Sequence, residues 1–399
     1  MGQQPRPRAR GRHPGHARPG RRALERDASG EPNRMLQEGA MHYVGRHIPG
    51  PPPRTGSPRC CVPSGSCTRS ASPLWQDALV GAFVGMEDPS DAYLTAARDG
   101  SLTARVVGAL WWDRERGAEQ IPELVERRAA FSHGRFRADS VKLMLDGVAE
   151  NGTAALLDPY LDRCGCATAN RGKSFIDPAR LPSYVTELDA LGFQCHFHAL
   201  GDRAVRDALD AVEAARRANG RSDTRPHLAH LQVVHPDDVP RFARLGATAN
   251  IQPLWAAHEP QMDELTLPFL GPERASWQYP FGALLRSGAR LAAGSDWPVS
   301  SADPLQGIHV AVNRVAPDGT GPVFLPDERI DLTAALMAYT AGSAYANHLD
   351  DTGSVRAGAL ADLVVLDRDP YAGPPEEIAS AKVALTYVGG ERVHTASGA

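Results

Sequence analysis

From Leu74 onward the chain repeats one unit: a short apolar run, a segment with the 3.6-residue period of an amphipathic helix, and a glycine. The apolar runs fall at 75–80, 104–110, 140–145, 193–198, 226–231, 247–252 and 290–294. Between them, Leu181, Val185 and Leu188 share one helical face, Val205, Leu209 and Val212 a second, and Val239, Phe242 and Leu245 a third. Gly192, Gly220, Gly246 and Gly288 stand where a left-handed residue would end a helix. Alternating strands and helices with short connections build a parallel sheet, and this many units predicts a (β/α)8 barrel rather than an open doubly wound sheet. Seven runs are visible, so one barrel strand is missing from the count. After Tyr345, apolar runs at 363–366, 383–388 and 392–394 are punctuated by Gly353, Gly358, Gly389 and Gly390 and predict a small β appendage.

Residues 1–73 break the pattern. Pro and Gly supply 22 of them, and 13 arginines face 4 acids, whereas the rest of the chain carries 30 basic and 43 acidic residues. This head is expected to be poorly ordered, with one short helix at 35–48. The expected organisation is therefore a head at 1–73, an incomplete barrel at 74–348 and a partial β-sandwich at 349–399. A net charge of −4, and a basic head almost without aromatics, exclude a general nucleic-acid binder. No stretch approaches the 18 or so uninterrupted apolar residues of a membrane span. No apolar segment follows Arg21 and Arg22, so no signal peptide is expected. Six cysteines without the spacing of a disulfide framework point to a reducing cytoplasm.

Barrel active sites sit at the C-terminal ends of the strands. The polar residues there are Lys142 in VKLMLDG, His198 in CHFHALGD, His230 in HLAHLQ and Asp296 in AAGSDWP. Each can offer an unprotonated donor atom to a divalent cation, Lys142 only after reaction with CO2 to a carbamate. The bland alternatives are a satisfied core histidine and an aspartate capping a turn. Lys142 resists that reading, because only three of 43 basic residues are lysine and an unpaired ammonium is expensive to bury in an apolar strand. Strand alternation places His196 and His198 on one face. It places His227 and His230 on opposite faces, so that only one of them would line the barrel mouth.

VKLMLDGVAENGTAALLDPY, HFHALGDRAV, HLAHLQVVHPDDVPRFARLGATANIQP, GSDWPVSSADPLQGI and GSVRAGALADLVVLDRDP together resemble the metal-dependent amidohydrolase superfamily. Within it they are similar to the YtcJ-like branch, which includes N-substituted formamide deformylases. The resemblance implies a (β/α)8 TIM barrel with a small β-sandwich built from both chain ends. It implies that Lys142 ends the fourth strand as a carboxylated bridge, His198 the fifth, His230 the sixth, and Asp296 the eighth as ligand and general base. His196 and His227 fall beside the ligand positions and are expected to be structural. The implied chemistry is hydrolysis of a carbon–nitrogen bond other than a peptide bond in a small amide or N-substituted formamide, at a divalent metal, zinc first. Asp296 would take a proton from the attacking water and return it to the leaving nitrogen. Asp146, Glu150, Arg203, Gln252 and Trp297 lie in the same motifs and are expected to contact substrate.

The family also carries an HxH pair at the end of its first strand. Here His13 and His16 have the wrong spacing among Arg, Pro and Gly, and His42 and His47 flank the short helical pattern. Residues 27–49 resemble the family segment between the first two strands, whereas 50–73 read as out of frame. The expectation is an N-terminally truncated barrel lacking strand 1. Its exposed edges would favour poor solubility or homo-oligomers, and it would hold at most one ion with activity near background. The alternative is an inactive remnant that at most binds a metal or a partner.

Overall fold

The computed structural model describes residues 22–26, 32–38, 71–83 and 87–396. The chain divides into two units, Met1–Pro49 and Gly50–Ala399. In the first, β1 (Arg22–Arg26) and β2 (Pro32–Glu38) pair antiparallel, with Leu24 opposite Leu36. The helix expected at 35–48 therefore does not start there, since Met35 to Glu38 belong to β2. The intervening sequence DASGE is rich in turn formers, and a short isolated helix is marginal beside a hairpin that pairs its backbone. The remainder of that helix and residues 50–70 of the out-of-frame segment lie outside the described residues.

In the second unit the main sheet is built from β3 (Leu74–Val80), β4 (Arg105–Trp111), β5 (Ser132–His133), β6 (Phe136–Met144), β7 (Gln194–Ala199), β8 (His227–His230), β9 (Thr248–Ile251) and β10 (Leu291–Ala293). Its order is β3-β4-β6-β7-β8-β9-β10, every neighbouring pair parallel, with β5 a two-residue antiparallel arm on β6. All seven expected strands are present within two residues at most ends. The exception is β6, which starts four residues earlier. Sequential parallel order is the topology of a (β/α) barrel, and among the described residues the run stays open between β3 and β10. The helices are α1 (Ser90–Arg98), α2 (Ile121–Ala130), α3 (Leu181–Ala190), α4 (Asp202–Asn219), α5 (Val239–Leu245), α6 (Leu267–Ala275), α7 (Phe281–Arg286), α8 (Pro304–Asn313), α9 (Leu332–Met337) and α10 (Ser343–Ala346). None of them is long and apolar enough to cross a membrane.

The helical faces read from the sequence are the ones buried: Val205, Leu209 and Val212 of α4, and Leu181, Val185 and Leu188 of α3. Each such side chain contributes about 1.5–3 kcal/mol on burial. Gly246 ends α5 in the left-handed conformation (φ 69°), as its position predicts. β7 is buried along its whole length although its sequence alternates, with Cys195, Phe197 and Ala199 on one parity and Gln194, His196 and His198 on the other.

The two margins of the sheet differ. Along β10, Ser343 Oγ accepts from Ala293 N (3.3 Å) and donates to Ala293 O (2.9 Å). Gly342 lies so close to Leu291 O that a Cβ there would come within 2.0 Å of it. The open edge expected on the last barrel strand is thus covered, because a helical segment takes the place of a neighbouring strand. On the far side of β3 no strand pairs among the described residues. The C-terminal sheet, β11 (Leu363–Leu366), β12 (Val383–Val388) and β13 (Glu391–Thr395), is antiparallel, and Arg105 at the start of β4 pairs with Asp362 just before it (2.8 Å).

Candidate metal centre

Lys142 sits on β6 in register with His196 of β7 and His227 of β8. Its Nζ lies 2.9 Å from His196 Nε2, and both residues are buried. Burial pushes the Lys142 ammonium down to about 8, opposed by the charge of Asp296. The same burial, reinforced by Lys142 and the neighbouring rings, holds His196 well below the usual imidazole value and His227 at about 3. These imidazoles are neutral at physiological pH. The His196 ring packs on His227 at 4.1 Å, and His227 Nδ1 lies 3.2 Å from Asn250 Nδ2 on β9.

One layer nearer the C-terminal ends of the strands stand His198 and His230, buried and likewise shifted far down by desolvation. Their rings meet edge to face at 4.4 Å, and His230 stacks on Trp255 at 5.6 Å. Beside His198 Nε2 lie Gly147 O at 3.3 Å and Asp146 Oδ1 at 3.8 Å. His227 touches His196 while His230 touches His198, so both side chains face the interior rather than opposite faces, with His230 in the layer at the mouth and His227 one layer below. The reason is local: His230 (φ 82°) and Leu231 (φ 52°) are consecutive left-handed residues, and alternation holds only while the backbone stays extended. That conformation costs a non-glycine residue about 1–2 kcal/mol. Gln252 Oε1 accepts from His230 N at 2.6 Å, and Gln252 Nε2 donates to Asn250 Oδ1 at 3.0 Å.

Asp296 follows β10 in a left-handed conformation (φ 55°), half-buried, with Val299 N donating to its carbonyl at 2.8 Å. Its charge reaches both Lys142 and His198. Trp297 beside it is 45% exposed. Lys142, His198, His230 and Asp296 are thus gathered at one end of the sheet. Asp146 is fully buried and accepts from the backbone of Ala155, Leu200 and Gly201 at 2.9–3.1 Å, tying the loop after β6 to the loop after β7. Gly201 must be glycine for that close approach, since a Cβ would fall 2.0 Å from Ala155 O. Glu150 accepts from Gln232 Nε2 at 3.3 Å. Arg203 opens the first turn of α4, its backbone N donating to Ala155 O at 3.1 Å. Sequence reasoning did not single out Asn250 or Trp255, and nothing in their local pattern marks them.

Among the described residues, no three His, Cys, Asp or Glu side chains converge as a metal cage. The donor chemistry nevertheless fits a divalent cation. His198 and His230 are neutral imidazoles in contact, His230 Nδ1 is buried without a hydrogen-bond partner, and Lys142 has the depressed pKa that leaves part of its amine free to react with CO2.

Sequential parallel strands with a lysine, imidazoles and a carboxylate toward their C-terminal ends make up a fold of the (β/α)-barrel type, which solved metal-dependent hydrolases share. A crystal structure of an uncharacterized metal-dependent hydrolase from Pyrococcus furiosus matches with a TM-score of 0.59 and 28% identity, over 74% of this chain and 56% of that one. The chain belongs to the Amidohydrolase family, which it matches over residues 6–394. It is 36% identical over 256 residues to the protein LONG AFTER FAR-RED 3 of Arabidopsis thaliana, a match that covers 64% of this chain and 42% of that protein. It is 25% identical over 395 residues to an N-substituted formamide deformylase of Arthrobacter pascens, covering 92% of this chain and 66% of that enzyme. The chain therefore spans between about two fifths and two thirds of the length of these relatives.

Proposed function

We propose that the protein is a zinc-dependent hydrolase of carbon–nitrogen bonds other than peptide bonds, acting on a small amide or N-substituted formamide. The observation that carries this reading is the pair of buried, neutral imidazoles, His198 and His230, beside a lysine whose charge is destabilised. His198, His230 and Asp296 would hold the ion, with Lys142 joining them once its free amine has added CO2 and released a proton. A bound divalent ion supplies Lewis acidity, polarising the carbonyl and lowering the pKa of water. Asp296, half-buried at the mouth, accepts the proton of the attacking water and returns it to the leaving nitrogen. The buried rings exclude solvent below that point, and the exposed Trp297 flanks the entrance.

Zinc content and hydrolysis of an N-substituted formamide, measured on the same protein with bicarbonate present, test the reading. Wild type is expected to keep about one zinc per chain through dialysis, and His230→Ala and Lys142→Met to lose it. If turnover stands well above background, Asp296→Asn should lower it by about 10²- to 10⁴-fold, whereas turnover near background should be left almost unchanged by that substitution. A chain that retains no zinc refutes the reading. A second reading, a chain that binds metal or a partner without turnover, is favoured by the hold of His196 on the Lys142 amine. Zinc retained with no turnover supports it.

A further inference from the structure

We infer that Gln252, oriented by Asn250, is the positioning residue that turns the His230 imidazole toward His198. The inference rests on the proposed metal centre. β8 ends at His230 and β9 at Ile251, its register partner, so a regular ladder would have continued through these residues. His230 takes a left-handed φ at that point, and its N–H donates to a side-chain oxygen, Gln252 Oε1, 2.6 Å away. The buried Gln252 amide thus meets the backbone where β8 ends. Its direction is not free. Nε2 is bound to Asn250 Oδ1 at 3.0 Å, so the oxygen must face His230.

Asn250 in turn meets His227, whose ring packs on His196, whose Nε2 meets Lys142 Nζ. The two layers of candidate ligands are therefore joined by one run of side chains, Gln252–Asn250–His227–His196–Lys142.

The test compares Gln252→Met, which keeps length and loses the acceptor, with Gln252→Glu, which keeps the acceptor. Zinc affinity is read by chelator competition, and the ligand geometry by the visible absorption of the cobalt-loaded protein. Loss of a group that orients a metal ligand lowers affinity by about 10–100-fold. Gln252→Met should show that loss and an altered cobalt spectrum, and Gln252→Glu should recover most of both. In metal-free protein, amide exchange at His230 should be faster in Gln252→Met. Wild-type affinity, spectrum and His230 protection in a folded Gln252→Met overturn the inference. If wild type holds no zinc, the proposed function fails, and exchange at His230 alone decides whether Gln252 sets its conformation. Should Gln252→Met not fold, Asn250→Ala serves, since it leaves Gln252 in place but unoriented; unchanged zinc affinity there also counts against the inference.

Discussion

Asp189 shows how single side chains of this chain are held. It lies on α3 and accepts from Thr224 (2.6 Å), Ser222 (2.7 Å) and Asn219 (3.0 Å), with Arg216 at 3.2 Å. Burial raises its pKa, but the hydrogen bonds and the guanidinium outweigh that and leave it below the usual carboxylate value. A depressed folded pKa contributes stability that is fully present above the unfolded value near 4 and is lost as pH falls through the folded one. Asp189→Asn should therefore cost about 1–3 kcal/mol at neutral pH, and the difference from wild type should shrink in acid. Urea denaturation from about pH 7 to about pH 2.5 measures it; a pH-independent difference would contradict the ionised state. At this scale the sequence was informative where chemistry is unusual. Lys142 stood out because lysine is rare here and costly to bury. The face taken by His227 was misjudged because the positive φ at His230 leaves no trace in residue spacing, and Asn250 was invisible because its role depends on its neighbours in space.

Elements were more legible than residues, for a reason visible in β4 and β10. Parallel strands covered on both faces read as continuous apolar runs, so existence and order could be taken from the sequence, whereas β5, an exposed two-residue arm, has no period to detect. What spacing does not reveal is how an element's edge is closed. Ser343 Oγ satisfies both backbone groups of Ala293, a bond pattern that a further strand beyond β10 would otherwise supply. Ser343→Ala leaves a donor and an acceptor unmet at the margin of the sheet and should cost about 1–3 kcal/mol. Hydrogen exchange should accelerate at 291–293 and stay unchanged in β6 and β7. Uniform acceleration across the sheet would show that Ser343 acts on global stability rather than on the edge.

For the molecule as a whole, the asymmetry of the two margins decides how copies are expected to meet. β10 is covered by the segment around α10, whereas no strand among the described residues pairs with the outer side of β3. Arg105 N donates to Pro73 O, so the alternation of a parallel ladder turns the backbone groups of Leu74 and Gln76 away from β4. An edge of this kind templates pairing with another chain, and two copies related by a two-fold axis would add β3 to β3 antiparallel. Light scattering over a concentration series should therefore show self-association. Leu74→Pro removes one outward N–H without touching the candidate metal ligands, and proline is tolerated at the first position of a strand. It should shift the distribution toward the monomer while leaving zinc content as in wild type. A monodisperse wild-type monomer, or a Leu74→Pro variant that associates as strongly as wild type, would show that β3 is not the surface through which copies meet.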